Sequence, residues 1–134
     1  MLIPTVSSLT EVTVVDSILR TIKKMIGGVE DDDFTGFDTD LIVHINSALR
    51  ILNQLGVGAN GFNITGLDET WNDFLGKDEA ILSEVKTYIY LKVKLVFDPP
   101  SNSFTQQSMK DEIKELEWRM NVEVDPRLEE VDEP

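Results

Sequence analysis

SEVKTYIYLKVKLVFDPPSNSFTQQSMKDEIKELEWRMN, residues Ser83 to Asn121, holds two helical patterns that meet at a double proline, and its reading decides the fold. In the first pattern, which runs from Lys77 to Phe97, Ile81, Leu82, Val85, Tyr88, Ile89, Val93 and Val96 recur at the spacing of one helix face. It is the longest helical pattern in the chain and is expected to form the central helix. Tyr90, Leu91, Leu95 and Phe97 add apolar surface outside that stripe. A helix with a single buried face needs no such excess, so burial on two sides and a subunit contact are expected. Pro99 and Pro100 end the pattern, because proline lacks a backbone donor and disfavours helical geometry in the residue before it. In the second pattern Ser103 and Gln106 have capping-box spacing. Met109, Ile113, Leu116 and Met120 then mark the buried face, with Lys110, Asp111, Glu112, Lys114, Glu115 and Glu117 toward solvent.

Toward the N-terminus two further helices are legible. Asp16 is placed to cap a helix whose apolar residues Ile18, Leu19, Ile22, Met25 and Ile26 form one face, and Gly27 and Gly28 stop it. Arg20, Lys23 and Lys24 are expected on its solvated side. Leu41, Ile42, Ile45, Ala48, Leu49, Leu52 and Leu55 make a continuous stripe that ends at Gly56, which predicts a core helix. Before it, VEDDDFTGFDTD at 29–40 imitates the start of a calcium loop through Asp31, Asp33, Thr35 and Gly36. The imitation fails where Ile42 stands in place of the bidentate glutamate and Asp38 in place of an apolar residue. An acidic turn followed by capping from Asp38 or Thr39 is the better account. Between 56 and 67, GVGANGFNITGL carries four glycines and reads as a loop, without the GK[ST] of a phosphate-binding loop. Thr65, Asp68 or Thr70 is then placed to open a short helix with Trp71, Phe74 and Leu75, whose aromatics are expected to cover the core.

Composition narrows the function classes. A chain of 134 residues can bury one sizeable core, and 41% apolar with 28% charged residues is ordinary for a globular domain. The net charge of −13 and a pI near 4.3 repel nucleic acid phosphates, although a repulsive wall still suits a passage through which DNA slides. The absence of cysteine excludes disulfides, thiol catalysis and thiolate metal sites. His44 is the one histidine, which leaves no zinc site or histidine-paired nucleophile to build. The acidic loops offer no nucleophile or cofactor motif near their carboxylates, so no catalytic residue, metal or cofactor is expected. The N-terminus lacks the pattern of a secretory signal, and no run reaches the roughly 18 apolar residues of a bilayer span. A soluble, unexported protein is expected.

Both ends depart from this pattern. Residues 1–15 show no helical period and are rich in apolar and β-branched residues, so an extended arm is expected there, either disordered or loosely docked, or packed on a neighbouring subunit through Leu2, Ile3, Val6, Val12, Val14 and Val15. In VEVDPRLEEVDEP, residues 122–134, six acids stand against Arg127. The helix is expected to fray there, leaving either a solvated acidic tail or, since Val122 and Val124 alternate with acids as in an edge strand, a segment that adds to a partner's sheet. The expected fold is therefore all-α: a small bundle of four to five helices over 16–121, with an N-terminal arm at 1–15 and an acidic C-terminal docking tail at 122–134.

FDTDLIVHINSALRILNQLGVG at 37–58, WNDFL at 71–75, VKTYIYLKVKLVFDPP at 85–100 and IKELEWRMN at 113–121 together resemble the head-tail connector (adaptor) proteins of long-tailed phages and prophages. The resemblance spans roughly residues 16 to 122. It implies a non-enzymatic helical protein that assembles in the host cytoplasm and sits in the virion neck, as a ring beneath the portal after DNA packaging. The implied partners are the portal protein, a stopper or other tail-completion protein, and further copies of the chain, expected as a dodecamer. DNA would pass through the channel without specific binding. The resemblance also implies that the tail engages the portal, with Val122, Glu123, Val124, Asp125, Arg127 and Leu128 as candidates. The candidate subunit contacts are Leu2, Ile3, Val6, Tyr90, Leu91, Leu95 and Phe97. The competing reading is a small acidic helical phage module that binds a basic protein partner.

Overall fold

The computed structural model describes residues 15–27, 35–76 and 80–124. Five helices make up these residues: α1 (Ile18–Ile26), α2 (Asp38–Gln54), α3 (Trp71–Leu75), α4 (Leu82–Phe97) and α5 (Ser103–Val124). They form the expected all-α bundle. α4 is its centre, in contact with α1, α2 and α5. The only extended pairing among the described residues is an isolated antiparallel bridge between Ser17 and Thr70. There Ile18 N–H donates to Glu69 O at 3.0 Å and Trp71 N–H donates to Asp16 O at 3.1 Å, which ties the start of α1 to the start of α3.

The core follows the apolar stripes. Ile18, Leu19 and Ile22 of α1 meet Leu41, Ile45, Ala48, Leu49 and Leu52 of α2, and α4 brings Val85, Tyr88, Ile89 and Val93 between them. Ile113, Leu116 and Met120 seat α5 on the same cluster. Trp71 and Phe74 are fully buried members of this core, as their predicted covering role requires. The Trp71 indole N–H donates to Thr21 Oγ1 at 3.1 Å, and the Thr21 hydroxyl donates in turn to Ser17 O at 2.7 Å. A buried indole therefore has its polar edge satisfied.

Several local expectations are corrected. Ser17, not Asp16, caps α1, its Oγ accepting from Arg20 N–H at 3.2 Å. α2 opens at Asp38 after Phe37 with no side-chain cap, so neither Asp38 nor Thr39 serves as one. Thr70 caps α3 in a reciprocal box with Asp73, one of the three alternatives. α4 begins at Leu82 rather than Lys77, and Asn102 caps α5 in place of Ser103, accepting from the N–H groups of Phe104 and Thr105 at 2.7 and 3.2 Å. Gln106 instead donates to Pro100 O, 2.6 Å away, and so braces the double-proline turn. The helix does not fray at Asn121, since α5 continues to Val124. Val122 and Val124 are thus helical and not edge-strand residues.

Lys23 departs most from its expected place on a solvated face. Its side chain is fully buried, and its ammonium lies 3.0 Å from Asp38 Oδ1 at the start of α2. On the helical wheel it borders Leu19, so its methylene stem continues the apolar face of α1 while the charge finds an acidic partner.

Candidate functional site

Among the described residues, no group of three or more His, Asp or Glu side chains is placed to hold a metal ion. No helix among these residues is long and apolar enough to cross a membrane. What the fold presents is exposed surface in three places.

The first such surface lies at the C-terminal end of α4. Tyr90, Leu95 and Phe97 are half-buried against the core, and the Phe97 ring meets the exposed Phe37 ring edge-on with centroids 5.2 Å apart. Leu91 is different: it is only 6% exposed and is a core residue of the single chain. Val96 was expected on the buried stripe and is instead 59% exposed. The exchange has one cause: α4 is covered on several sides, so an off-stripe residue is buried, whereas Val96 in the last turn opens onto the groove beside α5. Leu2, Ile3, Val6, Val12 and Val14 lie outside the described residues.

The second surface is α5 itself. Tyr88 O–H donates to Glu117 at 2.7 Å, and Asn121 Nδ2 donates to Leu55 O at 3.2 Å, so α5 is held along its length to α4 and to the end of α2. Burial, reinforced by the hydrogen bond to Glu117 and by its charge, pushes the Tyr88 hydroxyl far above the ordinary tyrosine range. Phe104 and Trp118 stand on the outward side, 78% and 67% exposed. Two grooves flank the helix. One, of about 550 Å³, lies between α4 and α5 and is lined by Lys92, Leu95, Val96, Lys110, Ile113 and Lys114, with Gln107 and Glu117. The other, of about 430 Å³, is lined by Ser108, Asp111, Glu112, Glu115, Leu116 and Arg119. Of the tail candidates, Val122 is half-buried and Glu123 exposed in the last turn of α5. The side chain of Val124, with Asp125, Arg127 and Leu128, lies outside the described residues.

The third surface is the 56–65 loop, which two asparagines of α2 shape. Asn53 Nδ2 donates to the carbonyls of Val57 and Ala59 at 2.9 and 3.0 Å, while its Oδ1 accepts from Gly61 N–H at 3.0 Å. Asn46 pairs with both backbone groups of Ile64, at 3.0 and 2.7 Å. Gly58, at φ +81°, lies against the Phe74 ring, 2.3 Å from where a Cβ would stand. Beyond the loop, burial acts to raise the Glu69 carboxyl, but hydrogen bonds from Thr65 and Gly66 outweigh it and hold the group below its usual value. The sequence reading passed over Asn46 and Asn53, although their i, i+7 spacing puts both on one side of the helix that runs into a glycine-rich loop. That position is the available sign of side chains that bond a returning backbone.

With this geometry in view, the class is that of small all-α bundles. The chain belongs to the phage connector protein family, whose model matches residues 18–127, from the first residue of α1 to just past the end of α5. Its role is accordingly a structural, connector-type one. No curated protein and no solved structure matches the chain.

Proposed function

We propose that this protein is a head-tail connector of the virion neck, forming a ring under the portal after DNA packaging and a platform for the stopper or tail. The observation that carries this reading is the family match across the whole helical domain. The rest of the molecule supports it. Tyr90, Leu95 and Phe97 leave apolar surface at the end of α4 for a neighbouring copy, and the N-terminal arm with Leu2, Ile3 and Val6 adds to that contact; Leu91, buried in its own chain, takes no part. The portal is engaged from the end of α5 onward, by Val122, Glu123, Val124, Asp125, Arg127 and Leu128. A charge of −13 per subunit, repeated around a ring, makes a channel wall that repels DNA and lets it pass without binding. Imaging the purified chain mixed with its portal tests the reading. A ring of copies beneath the portal is the expected result, and no association under packaging-like conditions would overturn it.

A further inference from the structure

The two grooves beside α5 carry opposite charge. On one flank three lysines, Lys92, Lys110 and Lys114, stand against Glu117 alone, and the Glu117 carboxylate is already engaged by Tyr88. None of the three lysines makes an ion pair among the described residues, although acids outnumber bases about two to one in the chain, 25 against 12. Lys110 and Lys114 even repel one another at i, i+4 spacing. On the other flank Asp111, Glu112 and Glu115 stand against Arg119 alone. At about 3.6 residues per turn these flanks face roughly opposite ways, about 150° apart around the helix.

The lysine groove also carries apolar surface. Val96, 59% exposed, and the half-buried Leu95 form the floor of the lysine groove. Trp118, 67% exposed, stands on the outward ridge of α5 between the flanks, one turn from Lys114 at i, i+4 and from Glu115 at i, i+3. The carboxylates of one flank complement the lysine rim of the other by charge pairing, and the indole at their edge adds apolar surface that matches Leu95 and Val96.

We propose that the occupant of the lysine groove is a second copy of this chain, which sets its acidic α5 flank, Asp111, Glu112 and Glu115, with Trp118 at its edge, against the groove between α4 and α5 of its neighbour. Because the two patches lie on opposite flanks of one helix, the contact is heterologous: it leaves a free patch at each end and propagates into a ring or filament instead of stopping at a dimer. The assignment takes its biological setting from the connector reading, and it specifies which faces meet.

The test is charge reversal on exposed positions of the full chain. Lys110→Glu with Lys114→Glu makes both flanks acidic, and Asp111→Lys with Glu112→Lys makes both basic. Sedimentation at low salt should show oligomers larger than a dimer for the native chain, weakening as salt rises. Each double variant alone should associate at least about tenfold more weakly, with an unchanged circular dichroism spectrum. An equimolar mixture of the two should regain assembly, because every acidic flank then meets a basic one. Trp118 emission should shift to the blue on assembly, while Trp71, already buried, contributes no change. A native chain that stays monomeric at low salt, or double variants that assemble as well as it does, would overturn the proposal. So would a mixture that fails to regain assembly. Portal binding in the imaging experiment is read separately, so the connector reading can stand when this interface falls.

Discussion

Lys23 shows how one residue can evade a correct reading of its helix. The apolar stripe of α1 is plain in the sequence, but the partner that makes a buried ammonium tolerable, Asp38, belongs to a different helix. Asp38 Oδ1 is itself buried, and the Lys23 ammonium is the charge that meets it. Replacing Lys23 by Met keeps the stem and strands the carboxylate. Asp38 retains 20% of its exposure, so water recovers part of the loss. The Lys23→Met variant should lose about 2–3 kcal/mol in urea unfolding, and adding Asp38→Leu should restore most of it. Glycine gives a second contrast at this scale. Gly58→Ala forces both a left-handed backbone and a clash with Phe74, and should cost about 2–4 kcal/mol. Gly61→Ala, at φ +73° with open space around it, should cost about 1 kcal/mol by the same measurement.

Among the elements, the α4–α5 pair carries a pH dependence. The Tyr88 hydroxyl is buried and donates to Glu117, so its folded pKa lies above its unfolded value of about 10. Above that pH the unfolded chain releases this proton while the folded chain keeps it. The Tyr88 contribution is therefore whole below about pH 10 and declines by roughly 1.4 kcal/mol per pH unit above it. Tyr88→Phe should cost about 1–2 kcal/mol at neutral pH and should flatten the alkaline decline; equal slopes for the two proteins in urea titrations above pH 10 would contradict the assignment. The α4 and α5 patterns were legible because a 3.6-residue period and a double proline are local signals. The side on which Val96 and Leu91 fall was not, because it depends on how far the covering helices extend along α4.

At the scale of the whole molecule, α5 carries helical structure past Asn121, the expected domain end. Met120 is fully buried, Asn121 holds Leu55 O, and α5 runs on to Val124. On the proposal that the residues after α5 serve only as a docking tail, a chain ending at Val124 should unfold at the same urea concentration as the full protein. On the portal-docking proposal, it should fail to join the portal in a co-sedimentation assay. Portal binding at full strength by this shortened chain would remove Asp125, Arg127 and Leu128 from the docking surface.

By itself the sequence determined the all-α class, the main apolar stripes, the stop at Pro99–Pro100 and the connector resemblance that the family match bears out. These follow from periodicity, turn chemistry and segment order, all of which are written along the chain. Only the tertiary structure decided that Lys23 is buried, that Asn46 and Asn53 hold the 56–65 loop, and that Leu91 is covered while Val96 and Trp118 face outward. It alone sorted the charges of α5 into an acidic and a basic flank, because Lys92 joins Lys110 and Lys114 only when α4 packs beside α5. Burial and charge pairing are sums over neighbours distant in sequence, and a helical period says which residues share a face but not what that face meets.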